Sequence, residues 1–173
     1  MLSIGLLILR LGVGMTIAAH GAQKAFGWFG GPGPQGVRGM VEVMGFKPVP
    51  LWTFALTAAE LGGGVLVALG LLTPIAALVV TAAMITAIIT VHFDKGFFNS
   101  QGGLEFPLTI AVACVSLALI GPGAYSFDRL LNIQLPEPTT VVVSLIAVAI
   151  GVLAGLQSRR IGSGKTRQAG QTA

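Results

Sequence analysis

A carboxylate in the middle of an apolar run constrains this chain most. From Leu51 to Leu72 the residues read LWTFALTAAELGGGVLVALGLL. About 20 apolar residues, rising 1.5 Å each, cross the hydrocarbon of a bilayer. Glu60 stands near the centre of this run, with Gly62, Gly63 and Gly64 close behind it. An ionised side chain at that depth costs roughly 2.5–3.5 kcal/mol or more unless it is paired or protonated. A partner at comparable depth is therefore expected, and Arg10, in the first apolar run, is the candidate.

Composition decides the class. Charged residues make up 9% of the chain and the mean hydropathy is +0.87, whereas soluble domains carry about 25% charged residues. An ordinary soluble globule is excluded. The lone Cys114 excludes an internal disulfide and any multi-cysteine metal site. It lies in an apolar run without a neighbouring base and reads as a small core residue. The high pI reflects cations flanking the apolar runs, where membrane topology needs them, so no nucleic-acid partner is expected. Arg10 interrupts the first run and no basic segment precedes it, so the start reads as a retained helix rather than a signal peptide.

An all-α, polytopic membrane helix bundle follows, with spans at about 3–26, 51–72, 74–93, 104–120 and 139–156. In the first span Arg10, Gly14, Ile17, Gly21 and Lys24 share one stripe, with His20 beside it. In the second, Ala55, Ala59 and Gly63 form a small-residue stripe suited to close packing. Val37, Met40, Val41 and Met44 recur at helical spacing within a Gly/Pro-rich connection, so a short interfacial helix is expected at about 35–45. Residues 158–173 read as a disordered basic tail.

Five spans place the two termini on opposite sides. With the tail in the cytoplasm, Lys24, Arg38, Lys47, Lys95, Arg159, Arg160, Lys165 and Arg167 all fall inside, and Arg129 outside. This satisfies the excess of cations found on the cytoplasmic side of membrane proteins. The expected location is the cell inner membrane, with the N-terminus outside.

The candidate chemistry is sparse. Arg10 and Glu60 read either as a buried pair lining a polar cavity or as a pair that only locks two helices. His20 and His92 sit on different spans and could ligate a haem, although hydrogen-bonded interfacial histidines are the plainer expectation. Glu105 opens the fourth span, where a carboxylate suits the helix dipole or a site. Asp128 is expected to cap a short helix at Asp128–Leu131. Phosphate-binding loops, CxxC and HExxH patterns are absent from the sequence. No metal ligand set is expected, and an electron carrier would be held by shape, as a quinone is, without covalent attachment.

RLGVG at Arg10–Gly14, HGAQK at His20–Lys24, AELGGG and LGLLT within Ala59–Thr73, GLEFPL at Gly103–Leu108 and GPGAYSFD at Gly121–Asp128 resemble the DoxX family of small integral membrane proteins. The resemblance covers about Ser3 to Leu131. It implies a four-helix DoxX-like core, to which this chain adds a fifth C-terminal span. It also implies links to redox chemistry. Some relatives look like membrane subunits of thiosulfate:quinone oxidoreductase. Others are associated with resistance to quinones or oxidative stress, and mycobacterial relatives with a complex containing superoxide dismutase and a sulfurtransferase. The matching polar positions are Arg10, His20, Lys24, Glu60, Glu105 and Asp128.

Three functions stand against one another. In the first, a quinone or quinol headgroup binds between spans, with Glu60 and Arg10 as the acting pair and His20, Lys24, Glu105 and Asp128 as binding residues. The second is a non-enzymatic scaffold that recruits soluble redox proteins at the cytoplasmic face. The third is a small-anion transporter using Arg10 and Lys24. The bilayer is the one partner the composition requires; a homo-oligomer is compatible with the small-residue stripes.

Overall fold

A computed structural model describes residues 1–136 and 138–169, with the backbone alone for 160–169. Seven α-helices run in order: α1 (Leu2–Phe26), α2 (Gly33–Val43), α3 (Val49–Leu69), α4 (Thr73–Ala87), α5 (Glu105–Ile120), α6 (Phe127–Leu130) and α7 (Thr139–Ala169). No strand occurs among the described residues. Four of the helices are long and apolar enough to cross a membrane: α1, α3, α4 with its continuation to Lys95, and α7 up to Arg159. The expected fourth span is α5. It is apolar but has only 16 residues, about 24 Å of helix.

The first packing decision is made between α1 and α3. Gly14 and Gly21 of α1 face Gly64, Ala68 and Leu61 of α3, and the two helices run antiparallel. A β-carbon on Gly64 would stand 2.5 Å from the Ala18 amide nitrogen, and one on Gly14 would stand 2.6 Å from the Gly64 carbonyl oxygen. Only glycine allows the backbones so close. In lipid, where apolar side chains gain little from leaving their solvent, such contact is a main source of helix association. Gly63 looks the other way, onto Val80 of α4. The expected stripe of Ala55, Ala59 and Gly63 therefore serves α4 and the space beside it rather than α1.

Helix α4 is the central element. Ala76, Ala77, Leu78, Val80, Ala83 and Met84 are buried on it, against Ile110, Ala111, Cys114 and Leu117 of α5. Helix α7 rests mainly on α4. Val37 and Val41 of α2 are buried with Phe46 and Val49 in a second cluster, so α2 tucks over the end of the bundle.

Beyond Ala87 the chain widens into a π-helical turn, Ile88–His92, where the expected span simply continues to 93. Helix α7 also departs from expectation: its backbone stays helical to Ala169, although disorder is expected from 158. A long apolar helix supplies the nucleus, and the Gln, Arg and Lys that follow are good helix formers. Residues 170–173 of that tail and the side chains of Arg160, Lys165 and Arg167 lie outside the described residues.

The seam is testable by comparing glycines. Gly64→Ala forces a clash and is expected to cost about 1–3 kcal/mol, read as a lower denaturation midpoint in detergent. Gly12→Ala, where a β-carbon meets nothing within 4 Å, is expected to leave the midpoint unchanged.

Candidate functional site

The register of α1 on α3 determines which charges meet. Gly14 lies level with Gly64 and Ala68, and Gly21 with Leu61. Glu60 is therefore within reach of Lys24, whose Nζ donates to its Oε1 at 2.5 Å. Glu60 is 3% exposed and Lys24 19%, and the second carboxylate oxygen, Oε2, is buried without a partner in the protein. Arg10 does not pair with Glu60, contrary to expectation. It sits some three turns along α1 from the level of Glu60, about 15 Å away along the axis. The pairing follows the antiparallel register, and the long connection between the two helices hides that register from the sequence.

Arg10 has its own surroundings at the other end of the bundle. It is fully buried, and its Nη2 donates to the Tyr125 carbonyl oxygen. Nε and Nη1 have no partner among the described residues. The guanidinium passes over Gly70, where any β-carbon would overlap it. Asp128 lies close enough for its charge to act on Arg10, yet its oxygens are taken by α4. Oδ1 accepts from the Leu72 amide at 2.7 Å, and Oδ2 from the Thr73 amide at 3.0 Å and the Thr73 hydroxyl at 2.9 Å. Asp128 therefore caps α4 rather than the short helix in which it lies. That helix, α6, is capped by Ser126, whose hydroxyl accepts from the Arg129 amide. The expected outer-surface aspartate is 4% exposed because it satisfies donors at a helix start that lies in apolar surroundings.

A cavity of about 440 Å³ opens between α3, α4 and α7, with α2 at one end. It extends along α4 from Ile75 to His92. Its walls are apolar apart from a few Ser and Thr hydroxyls and, at the α2 end, Lys24 and His92, with Phe46 and Trp52 as its aromatic members. Lys24 lines this polar end, and its partner Glu60 lies behind it, one residue from the lining Ala59. That volume lies in the range of small-molecule sites, which are mostly apolar with a few polar groups that fix orientation. Helix α7 closes this end through Gly155, packed on Trp52 and Phe46. Arg159 adds a hydrogen bond from Nε to the Met44 carbonyl oxygen at 2.8 Å and lies over the Phe46 ring.

The remaining expected residues do not gather here. His20 is exposed, with its ring against Phe106. Glu105 accepts from the Asn99 amide at 2.9 Å and orders the loop before α5. His92, by contrast, lines the cavity, and its Nδ1 bonds the Gly102 carbonyl oxygen at 2.7 Å. Its place at the end of the third expected span gives no sign of this cavity, because the π turn that aims it has no simple signature in the residues. No cluster of metal-ligating side chains occurs among the described residues.

Residues 5–93, which carry the Lys24–Glu60 pair and His92, match the family model described as DoxX. The chain belongs to the DoxX family. Among curated relatives, it is 32% identical over 126 residues to the putative oxidoreductase CatD of Bacillus subtilis (strain 168), covering 72% of this chain and 85% of that one. It is 37% identical over 132 residues to inner membrane protein YqjF of Escherichia coli (strain K12), covering 75% and 93%. No solved structure matches. The matched region of this DoxX protein contains the glycine seam, the buried pair and most of the cavity wall. Helix α7 lies beyond residue 93, the end of the family match.

Two predictions follow from the geometry. Lys24→Met and Glu60→Leu each strand one charge in apolar surroundings and are expected to cost about 3–5 kcal/mol. The double variant is expected to be more stable than either single one, measured by unfolding in detergent. Asp128→Ala leaves the Leu72 and Thr73 amides without their acceptor and is expected to cost about 1–3 kcal/mol for each donor left buried and unpaired.

Proposed function

We propose that this DoxX protein binds a quinone or quinol headgroup at the α2 end of the cavity and serves redox chemistry at the membrane. The observation that carries the reading is a buried ion pair whose lysine lines one end of an otherwise largely apolar space. Such charges inside membranes mark sites more often than they stabilise folds. The pair is neutral overall, and His92 adds a hydrogen-bonding group without requiring a counter-charge. A neutral, polar ring with a hydrocarbon tail suits that end better than a small anion, which would face Glu60 as well as Lys24. Its tail would lie along α4. Lys24 would donate to a ring oxygen, and Glu60 would hold the ammonium in place. The name of the relative CatD, a putative oxidoreductase, is in keeping with this role. Arg10 belongs to the opposite end and has a structural part in it, holding the loop after α5 against α1.

The same reading orients the chain. Lys24, Arg38, Lys47, Lys95 and Arg159 belong to the end that carries α2, whereas Arg129 belongs to the other. The cationic end would face the cytoplasm and the N-terminus the outside. Soluble redox partners, if recruited, would then meet the protein beside the polar end of the cavity.

The test is binding of a short-tailed quinone to purified protein in nanodiscs. Gly151 lines the cavity, and a β-carbon there meets nothing within 4 Å. Gly151→Leu is therefore expected to fill the space without unfolding the helix and to weaken binding more than about tenfold. Unchanged affinity in this variant would remove the cavity from the function.

A further inference from the structure

His92 has a fixed tautomer. The Gly102 carbonyl oxygen can only accept, so the neutral imidazole carries its proton on Nδ1, which donates at 2.7 Å. Nε2 is then a lone-pair acceptor, and it has no hydrogen-bond partner among the described residues. The ring lines the cavity at the same end as Lys24. It is carried there by the π turn Ile88–His92, a departure from regular helix that often accompanies functional sites. The polar end thus offers a donor, the Lys24 ammonium, whose bond to Glu60 uses one of its three N–H groups. It also offers an acceptor, His92 Nε2.

A carbonyl-bearing ring can satisfy only the donor, because its oxygens have no hydrogens. It would cover His92 Nε2 and leave that nitrogen desolvated and unpaired, which is costly in apolar surroundings. A ring hydroxyl both accepts and donates, so hydroxyls can satisfy Lys24 and His92 together. From this we infer that the cavity selects the reduced, hydroxylated form of its ligand: a lipophilic hydroquinone or phenol, with His92 as the residue that sets the preference. This rests on the reading of the cavity as a quinone or quinol site and names the redox state that site favours.

The experiment titrates one short-tailed benzoquinone and its hydroquinone, the latter kept reduced, into full-length protein in nanodiscs at about pH 8. Trp52 lines the cavity while Trp28 is exposed outside it, so a Trp28→Phe background reports binding through Trp52 fluorescence. The hydroquinone is expected to bind about tenfold more tightly than the quinone, equivalent to one well-made hydrogen bond. His92→Asn keeps an amide donor for the Gly102 carbonyl oxygen and removes the Nε2 acceptor. It is expected to bring the two affinities together, the hydroquinone losing its acceptor and the quinone no longer covering an unpaired nitrogen. Equal binding of both forms by the parent protein overturns the inference and spares the cavity. Equal weakening of both forms by His92→Asn also overturns it, since the residue would then be structural only. Failure of both forms to bind the parent protein withdraws the quinone reading and this inference with it, and tighter binding of the quinone overturns the inference alone.

Discussion

The backbone contact between α1 and α3 sets everything else. Two glycines on one helix meet a glycine, an alanine and a leucine on the other, and the antiparallel register follows from that fit. Once it is set, the polar residues have no freedom to choose partners. Glu60 receives Lys24 because Lys24 lies within side-chain reach of its level. Arg10 is carried to the far end, where it meets the chain after α5. In hydrocarbon, electrostatic pairing is strong but short in reach, so the helix seam chooses which pairs exist.

The two polar knots differ in kind. At the Arg10 end, most contacts satisfy backbone groups. Asp128 supplies the donors at the start of α4 with an acceptor, and the Tyr125 carbonyl takes an Arg10 proton. That arrangement stabilises a turn between two spans and leaves beside it only a small cavity of about 150 Å³, lined by Asp128 and Arg129. At the Lys24 end the groups border an open volume. The same kinds of side chain therefore serve architecture in one place and a binding space in the other. What separates them is the room around them, which is a property of helix packing rather than of residue type.

The architecture was legible in the residues because it depends on length and hydropathy, which are local. The apolar runs and the stripe through Arg10, Gly14, Ile17 and Gly21 can be read directly. The carboxylate at Glu60 correctly announced a buried pair. Its partner was misassigned because depth was judged from each helix alone, while the true level depends on how α1 slides against α3. Asp128 was misassigned for a similar reason: a cap four residues into its own neighbourhood looked sufficient, and the needy helix start lay more than fifty residues earlier. In the sequence His92 reads as a haem ligand or an interfacial hydrogen-bonding group and not as a cavity residue, because a π turn re-aims a side chain without any change in composition. Long-range register and irregular turns are where a reading by periodicity ends.

The brevity of α5 has a mechanical consequence. Its roughly 24 Å falls short of a hydrocarbon layer of about 30 Å. The segment after it, with Tyr125 and Asp128, is thereby drawn below the headgroups, to a depth that Arg10 can reach from about 12 Å inside α1. A bilayer beside α5 must either pinch inward or let this polar segment hang in fatty surroundings. The protein is thus matched to thin membrane on that flank, and lipid chain length becomes a variable that acts on the knot around Arg10.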